Sequence, residues 1–419
     1  MIFANRKPAP LLPAVLCGLA AAVPTVAANA DVITDWNATA EAVLVAKGHQ
    51  GPPGYAFVHV PMYDAVTAID GRYTAFAVKP KSATRNASKE AAAAAAAYRA
   101  LLGAYPDQAP LLDAAYQKSL AAVPDGPAKA KGIEIGNEVA ATWLALRAND
   151  GREANVPYEF ATPAPGVYQR TPPAFPNSLA PWLATMKPFA MSSPSQFRSY
   201  GPPDLTSKRY ADDVAFVKAV GSATSTERNA KETEIARFYT ESPTTFFSHN
   251  LRDFARATKR LGVEDNARLF AQVFVSAADA MIGCWDSKYY YNFWRPVTAI
   301  TTELDDGNPA TVRDPDWTPL AVTPPHPEYP AGHGCVSTAY AEALRHFFGT
   351  PHVKVTLTSS VPGSVPHVFT NTNQMIDEII LARVFGGMHF QTSVEHGSVL
   401  GKNVAQLVAK NHFKPVKGR

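Results

Sequence analysis

The sequence predicts an all-α protein of two helical bundles, with its chemistry in the C-terminal one. Three observations carry this. Apolar residues recur at helical spacing through most of the chain, as at Val58, Met62, Ala65 and Ile69 on one face of a 3.6-residue period. Valine-rich strand material is confined to a short piece near 353–357. A proline-rich stretch with no period, residues 151–203, separates two helical halves.

The elements follow in chain order. Residues 1–30 read as a secretory leader. Arg6 and Lys7 form a positive start, 11–23 an apolar core, and Ala28-Asn29-Ala30 a small-x-small site with cleavage expected after Ala30. The expected location is therefore secreted or periplasmic. The N-terminal bundle, residues 31–150, opens with a helix near 36–47, followed by the Val58 helix. An alanine-rich helix capped by Ser88 runs towards Gly103, before the break at Pro106. Another helix lies near 111–122, and a last one carries Ile135, Val139, Trp143 and Leu146 and ends at Asn149-Asp150-Gly151. Prolines at 157, 163, 165, 172, 173, 176, 181 and 188 mark the connection as a surface arm. In the C-terminal bundle, residues 204–419, Thr224 and Glu227 form a capping-box pattern before a helix through Ile235 and Phe238. Further helices are expected at 246–261, 265–285, 335–348, 373–386 and 392–410.

Composition narrows the functions. The formal charge of +3 falls to +1 when Arg6 and Lys7 leave with the leader, too small a basic excess for a general nucleic-acid binder. No run of ~18 uninterrupted apolar residues marks a membrane span. The nearest, 270–285, is broken by Gln272, Ser276 and Asp279 and reads as a buried helix. Cys284 and Cys335 remain outside the leader, and the spacing leaves open whether they pair or stay as buried thiols.

Three clusters in the second half carry chemistry. They are Lys288-Tyr-Tyr-Tyr-Asn-Phe-Trp-Arg295-Pro296, then His326-Pro-Glu-Tyr-Pro-Ala331-Gly332-His333, then Ala382-Arg383 with His389 six residues on. Together they offer three cations, several histidines and a glycine at a helix start. No nucleophile elbow, P-loop or dinucleotide fingerprint competes with them. The set suits a tetrahedral oxyanion. Arginine forks grip adjacent oxygens, lysine acts as a point charge, and N–H groups at a helix start favour negative charge. Tyr289 to Tyr291 and Trp294 read as packing around the helix. A zinc reading is weak, because neither His326/His333 nor His389/His396 has helical ligand spacing.

These motifs resemble the vanadium-dependent haloperoxidase and type 2 phosphatidic acid phosphatase superfamily, in its soluble bacterial haloperoxidase-like branch. The family signature is Lys-x6-Arg-Pro, then Pro-Ser-Gly-His, then Ser-Arg-x5-His-x3-Asp. Lys288, Arg295 and Pro296 match the first motif, Gly332 and His333 the second, Arg383 and His389 the third. Trp285, three residues before Lys288, agrees with the haloperoxidase branch and is placed in the halide and substrate pocket. The resemblance implies that Lys288, Arg295, Arg383 and the Gly332 N–H hold the equatorial oxygens of vanadate, or of phosphate in a phosphatase. It implies His389 as vanadium ligand or phosphoryl acceptor, and His333 as acid and base. His326 falls where bromide- and iodide-oxidising members carry a second histidine, and a protonated His326 is expected to repel His333. Three positions depart from the pattern. Ala331 replaces the motif serine, removing a hydroxyl worth ~1.5–3 kcal/mol to the anion. Ala382 replaces the serine before Arg383. Ser393 stands where an aspartate would orient His389, which leaves that partner open.

The implied function is a secreted enzyme oxidising halide, bromide and iodide favoured, with hydrogen peroxide at bound vanadate, and passing halogen to a small organic acceptor. The alternative is a soluble acid phosphatase working through a phosphohistidine at His389. A third is a catalytically silent oxyanion binder, given Ala331.

Overall fold

The structure, a computed structural model, describes residues 31–48, 51–152 and 154–416; the expected leader and its cleavage after Ala30 lie outside the described residues. Those residues form thirteen α-helices and one short two-stranded ribbon. The N-terminal half contains α1 (Val32–Lys47), α2 (Gly51–Asp70), α3 (Lys89–Ala104), α4 (Ala109–Ala121) and α5 (Pro127–Leu146). Asp31 caps α1 in a reciprocal box with Thr34. The alanine run of α3 allows close approach as well as favouring helix. A side chain at Gly132 or Gly136 of α5 would strike the α3 backbone at Ser88 and Ala92, so the two helices pack almost backbone to backbone.

The C-terminal half contains α6 (Lys208–Gly221), α7 (Ala230–Phe238), α8 (Pro243–Ala257), α9 (Val263–Tyr291), α10 (Pro296–Thr301), α11 (Gly332–Phe348), α12 (Thr372–Phe385) and α13 (Gln391–Asn411). The expected cap at Thr224 and Glu227 is corrected. Asn229 and Glu232 make the reciprocal bonds at the start of α7, because the helix begins five residues later than that pattern suggested. The strand near Val353 is real but has a partner that the sequence did not reveal. β1 (Val355–Leu357) pairs antiparallel with β2 (His367–Phe369).

Helix α9 is the spine. It packs on α2 from the first half and on α11 and α13 from the second, and one apolar core runs through all of them. It is the one described helix long and apolar enough to cross a membrane, and it is buried inside the protein. It also continues two turns past Trp285, which carries Lys288 inward on a rigid helix.

The described residues of 151–203 have no regular structure beyond the 3-10 turn Pro181–Ala184 and an isolated bridge from Val167 to Phe293, yet they are fixed along α9. Asp279 of α9 is fully buried and accepts the backbone N–H groups of Phe189, Ala190 and Met191, each at 2.7 Å. Arg198 forks onto Asp286, and the hydroxyls of Tyr289 and Tyr291 donate to the carbonyls of Leu179 and Ser199. The tyrosine run therefore packs and tethers, as its composition suggested.

Asp279→Ala should destabilise the fold by ~3 kcal/mol or more, because it strands three donors that have no other partner. Chemical denaturation measures this, and a loss below ~1 kcal/mol would show that the arm is held mainly by its apolar contacts.

Candidate functional site

The C-terminal turn of α9, the loop 323–331 and the turn 386–390 converge on the first turn of α11. Glycines make the convergence possible. A side chain at Gly397 would lie 2.8 Å from the Ala331 carbonyl, and one at Gly334 or Gly401 would strike the backbone of the facing helix. Helix α13 is thereby pressed onto the start of α11, and Ala331 donates its N–H to the Ser393 carbonyl at 3.0 Å.

Three cations end up buried together: Lys288 and Arg295 are 0% exposed and Arg383 is 4% exposed. Their partners are almost all neutral. The Lys288 ammonium donates to the carbonyls of Pro327 and Glu328, both at 2.9 Å. Arg295 donates to the carbonyls of His326, Met388 and Pro324, and lies 3.1 Å from His389 Nε2 and 3.0 Å from His326 Nδ1. Arg383 donates to the Tyr239 carbonyl at 2.9 Å, and its Nε is buried with no partner. Burial lowers Lys288 to about 8, Arg295 to about 10 and Arg383 to about 9.

The carboxylate that orients His389 is Glu328. Its Oε1 accepts from His389 Nδ1 at 2.8 Å and from the Phe390 N–H at 3.0 Å, while Oε2 is buried and unpartnered. With Nδ1 donating, Nε2 carries the lone pair and faces Arg295. Burial, with Arg295, Lys288, Arg383 and His326 behind it, holds the imidazole well below its ordinary range, so it is neutral. Burial also raises Glu328 to about 7, against the pull of Lys288 and Arg295. Ser393, standing where an aspartate was expected, donates instead to the Glu328 carbonyl at 3.4 Å. Sequence reasoning missed Glu328 because the orienting group has moved from the third motif to the second. One signal was available: it is the only acidic residue between Asp316 and Glu342.

A cavity of about 560 Å³ opens above this floor and is lined by Trp285, His326, Gly332, His333, Arg383 and His389 among others. His333 faces it, with Nδ1 3.3 Å from the Ser337 hydroxyl, and burial and Arg383 keep it neutral. His326 packs its ring 4.9 Å from Trp285 and sits against Arg295. Burial, with Lys288 and Arg295 beside it, holds His326 well below its ordinary range, so it is neutral as well. The repulsion expected between a protonated His326 and His333 does not arise between two neutral imidazoles, and Arg295 instead contacts both His326 and His389. Ala331 caps α11 without a side-chain bond, and a side chain at Gly332 would meet the Trp285 ring at 3.4 Å. Cys284 and Cys335 lie beneath the floor as free thiols in contact.

The other histidines stand apart from the floor. His59 is buried against Phe270 and Phe274 and bonds to Asn37; His249 bonds to Glu241; His396 takes the Tyr329 hydroxyl; His367 is clamped between Glu234 and Glu378.

The chain is similar to known proteins in sequence and in fold. Residues 268–418 match the family model of the VCPO second helical-bundle domain. The matched residues run from α9 to the end of α13, so the likeness covers the elements that build the floor. A vanadium chloroperoxidase of Curvularia inaequalis is 28% identical over 266 residues, which cover 51% of this chain and 42% of that protein. The chain thus matches less than half the length of that relative. The fold extends the likeness. A solved bacterial vanadium-dependent iodoperoxidase superposes with a TM-score of 0.72 at 23% identity, over 93% of this chain and 97% of that one. A holo-type bacterial vanadium-dependent chloroperoxidase gives 0.65 at 19% identity, over 86% and 92%. In this fold, residues of all three sequence motifs meet at one buried floor.

Glu328→Ala should weaken vanadate binding ~10–100-fold, the usual cost of losing the group that orients a ligand. Glu328→Gln, still able to accept from His389 and Phe390, should keep most of it. Calorimetric titration decides, and equal affinity in wild type and the alanine variant would mean that another group orients His389.

Proposed function

We propose that the chain is a vanadium-dependent haloperoxidase that oxidises iodide and bromide in preference to chloride, acting outside the cytoplasm as its leader-like first thirty residues imply. The observation that carries this reading is the buried cation floor beside a neutral His389 Nε2. Three cations face one carboxylate, so the floor is short of negative charge and suits a multiply charged oxyanion.

The residues present fit vanadate. His389 Nε2 would ligate it, with Lys288, Arg295, Arg383 and the Gly332 N–H on its oxygens. The free Arg383 Nε supplies one ready donor, and Arg295 can turn the donors now facing His389 and His326. Bound there, vanadate supplies a Lewis-acid centre that activates hydrogen peroxide without changing oxidation state. Glu328 holds the His389 proton on Nδ1 and keeps Nε2 a lone-pair donor. His333, neutral and open to the cavity, takes and returns a proton there. A negative ligand beside it raises its proton affinity, bringing it nearer the range where it can do both. His326 and Trp285 line the same cavity with polarisable rings, which suits the larger, softer halides.

The His389–Glu328 pair also supports a second reading, a phosphatase in which Nε2 accepts the phosphoryl group. One experiment separates the two. Vanadate-free protein is assayed with peroxide and each halide, before and after adding vanadate, and with a phosphate ester. Iodide and bromide oxidation should appear only with vanadate, chloride oxidation should stay at least tenfold lower, and His389→Ala should abolish activity. Phosphate-ester turnover that vanadate blocks, with no halide oxidation, would establish the second reading instead.

A further inference from the structure

We infer that the cavity above the floor holds the organic acceptor itself, and that this acceptor is an aromatic or similarly apolar organic anion recognised by Arg237 at the rim. The inference rests on the haloperoxidase reading and adds the substrate class. Size is the first argument. Five oxygen-sized positions at ~30 Å³ each account for ~150 Å³, well under half of the 560 Å³ available. Halide and peroxide alone need no such space.

The remaining walls are apolar. Leu179, Phe247, Met281, Leu320, Val322 and Met388 line them, and Val322 at the mouth is 75% exposed. An apolar lining with a few fixed polar groups is the composition of a small-molecule site. Two lining residues away from the floor are charged, Arg237 and the buried Glu241, and the structure treats them differently. Glu241 is fully engaged, accepting from His249, the Thr245 hydroxyl and the Ser360 N–H. Arg237, in the last turn of α7, is exposed and has no carboxylate within ion-pair distance among the described residues. A cation at the mouth and cations on the floor, with apolar walls between them, fit a ligand that is apolar in its body and negative at its outer end.

The chemistry balances. Peroxide oxidises halide by two electrons to hypohalous acid. At a ring carbon of the acceptor the C–X bond forms and the C–H bond breaks. The displaced proton leaves with the hydroxide of the hypohalous acid as water.

The test uses 2-naphthoate and its neutral counterpart 2-naphthamide as probes, titrated by calorimetry into the protein with and without vanadate. Naphthoate should bind one to one with vanadate present, at least tenfold more tightly than the amide. Arg237→Ala should bring the two within twofold while vanadate affinity stays within twofold of wild type, and Arg237→Lys should keep part of the preference. In turnover, Arg237→Ala should raise KM for naphthoate and leave KM for halide unchanged. Equal binding of acid and amide by the wild type, or a preference that survives Arg237→Ala, overturns the inference. So does naphthoate that vanadate displaces, since its carboxylate then sits on the floor. So does a variant that changes only the halide KM, which makes Arg237 an anion funnel. Failure of vanadate itself to bind refutes the haloperoxidase reading instead, and the acid–amide comparison on untreated protein still decides the role of Arg237.

Discussion

A buried ammonium or guanidinium costs several kcal/mol unless polar groups replace its water, and this protein buries three side by side. The replacements are backbone carbonyls of Pro324, His326, Pro327, Glu328, Met388 and Tyr239. A carbonyl solvates a cation without neutralising it. The carboxylate beside the cations, Glu328, spends its bonds on His389 and Phe390 rather than on a cation. Positive charge is therefore left over on the cavity floor, and an oxyanion is the partner that it fits.

The surrounding sequence makes sense under that constraint. The loop 323–331 carries prolines at 324, 325, 327 and 330. Proline has no N–H to donate and keeps the preceding residue extended. The carbonyls of this loop can therefore turn inward to the cations instead of pairing in a helix or ladder. Position then has to be held by neighbours, and the small residues of α11 and α13 do this by letting the two helices touch through their backbones. Helix α9 holds the lysine, and the irregular arm 151–203 is fixed to that same helix through Asp279, Arg198 and the tyrosines. The arm also supplies Leu179 to the cavity wall.

Much of this was legible in the sequence, because spacing and burial leave a pattern. The helical periods located most helices, and six of the predicted site residues, Trp285, His326, Gly332, His333, Arg383 and His389, line the cavity. What stayed hidden depends on contacts between distant segments. His389 is 61 residues from the carboxylate that orients it. No local rule connects the two, and the third-motif position gave only Ser393. The effect of His326 was misplaced for the same reason. Burial keeps its imidazole neutral, and its side-chain partner is Arg295, 31 residues away in sequence, which also contacts His389. β2 was missed because a three-residue strand has too few side chains to show alternation. The cap of α7 was misplaced because Thr224 and Glu227 imitate the pattern that Asn229 and Glu232 satisfy.

The central claim is that the floor holds uncompensated positive charge until an oxyanion binds. The most direct measurement is the thermal midpoint of the vanadate-free protein against increasing vanadate or phosphate, with chloride at matched ionic strength as control. A ligand that binds only the folded state raises stability with the logarithm of its concentration. The account predicts such a rise for the oxyanions, at one site per chain, and none beyond the ionic-strength effect for chloride. A midpoint that responds to all three salts alike would contradict it.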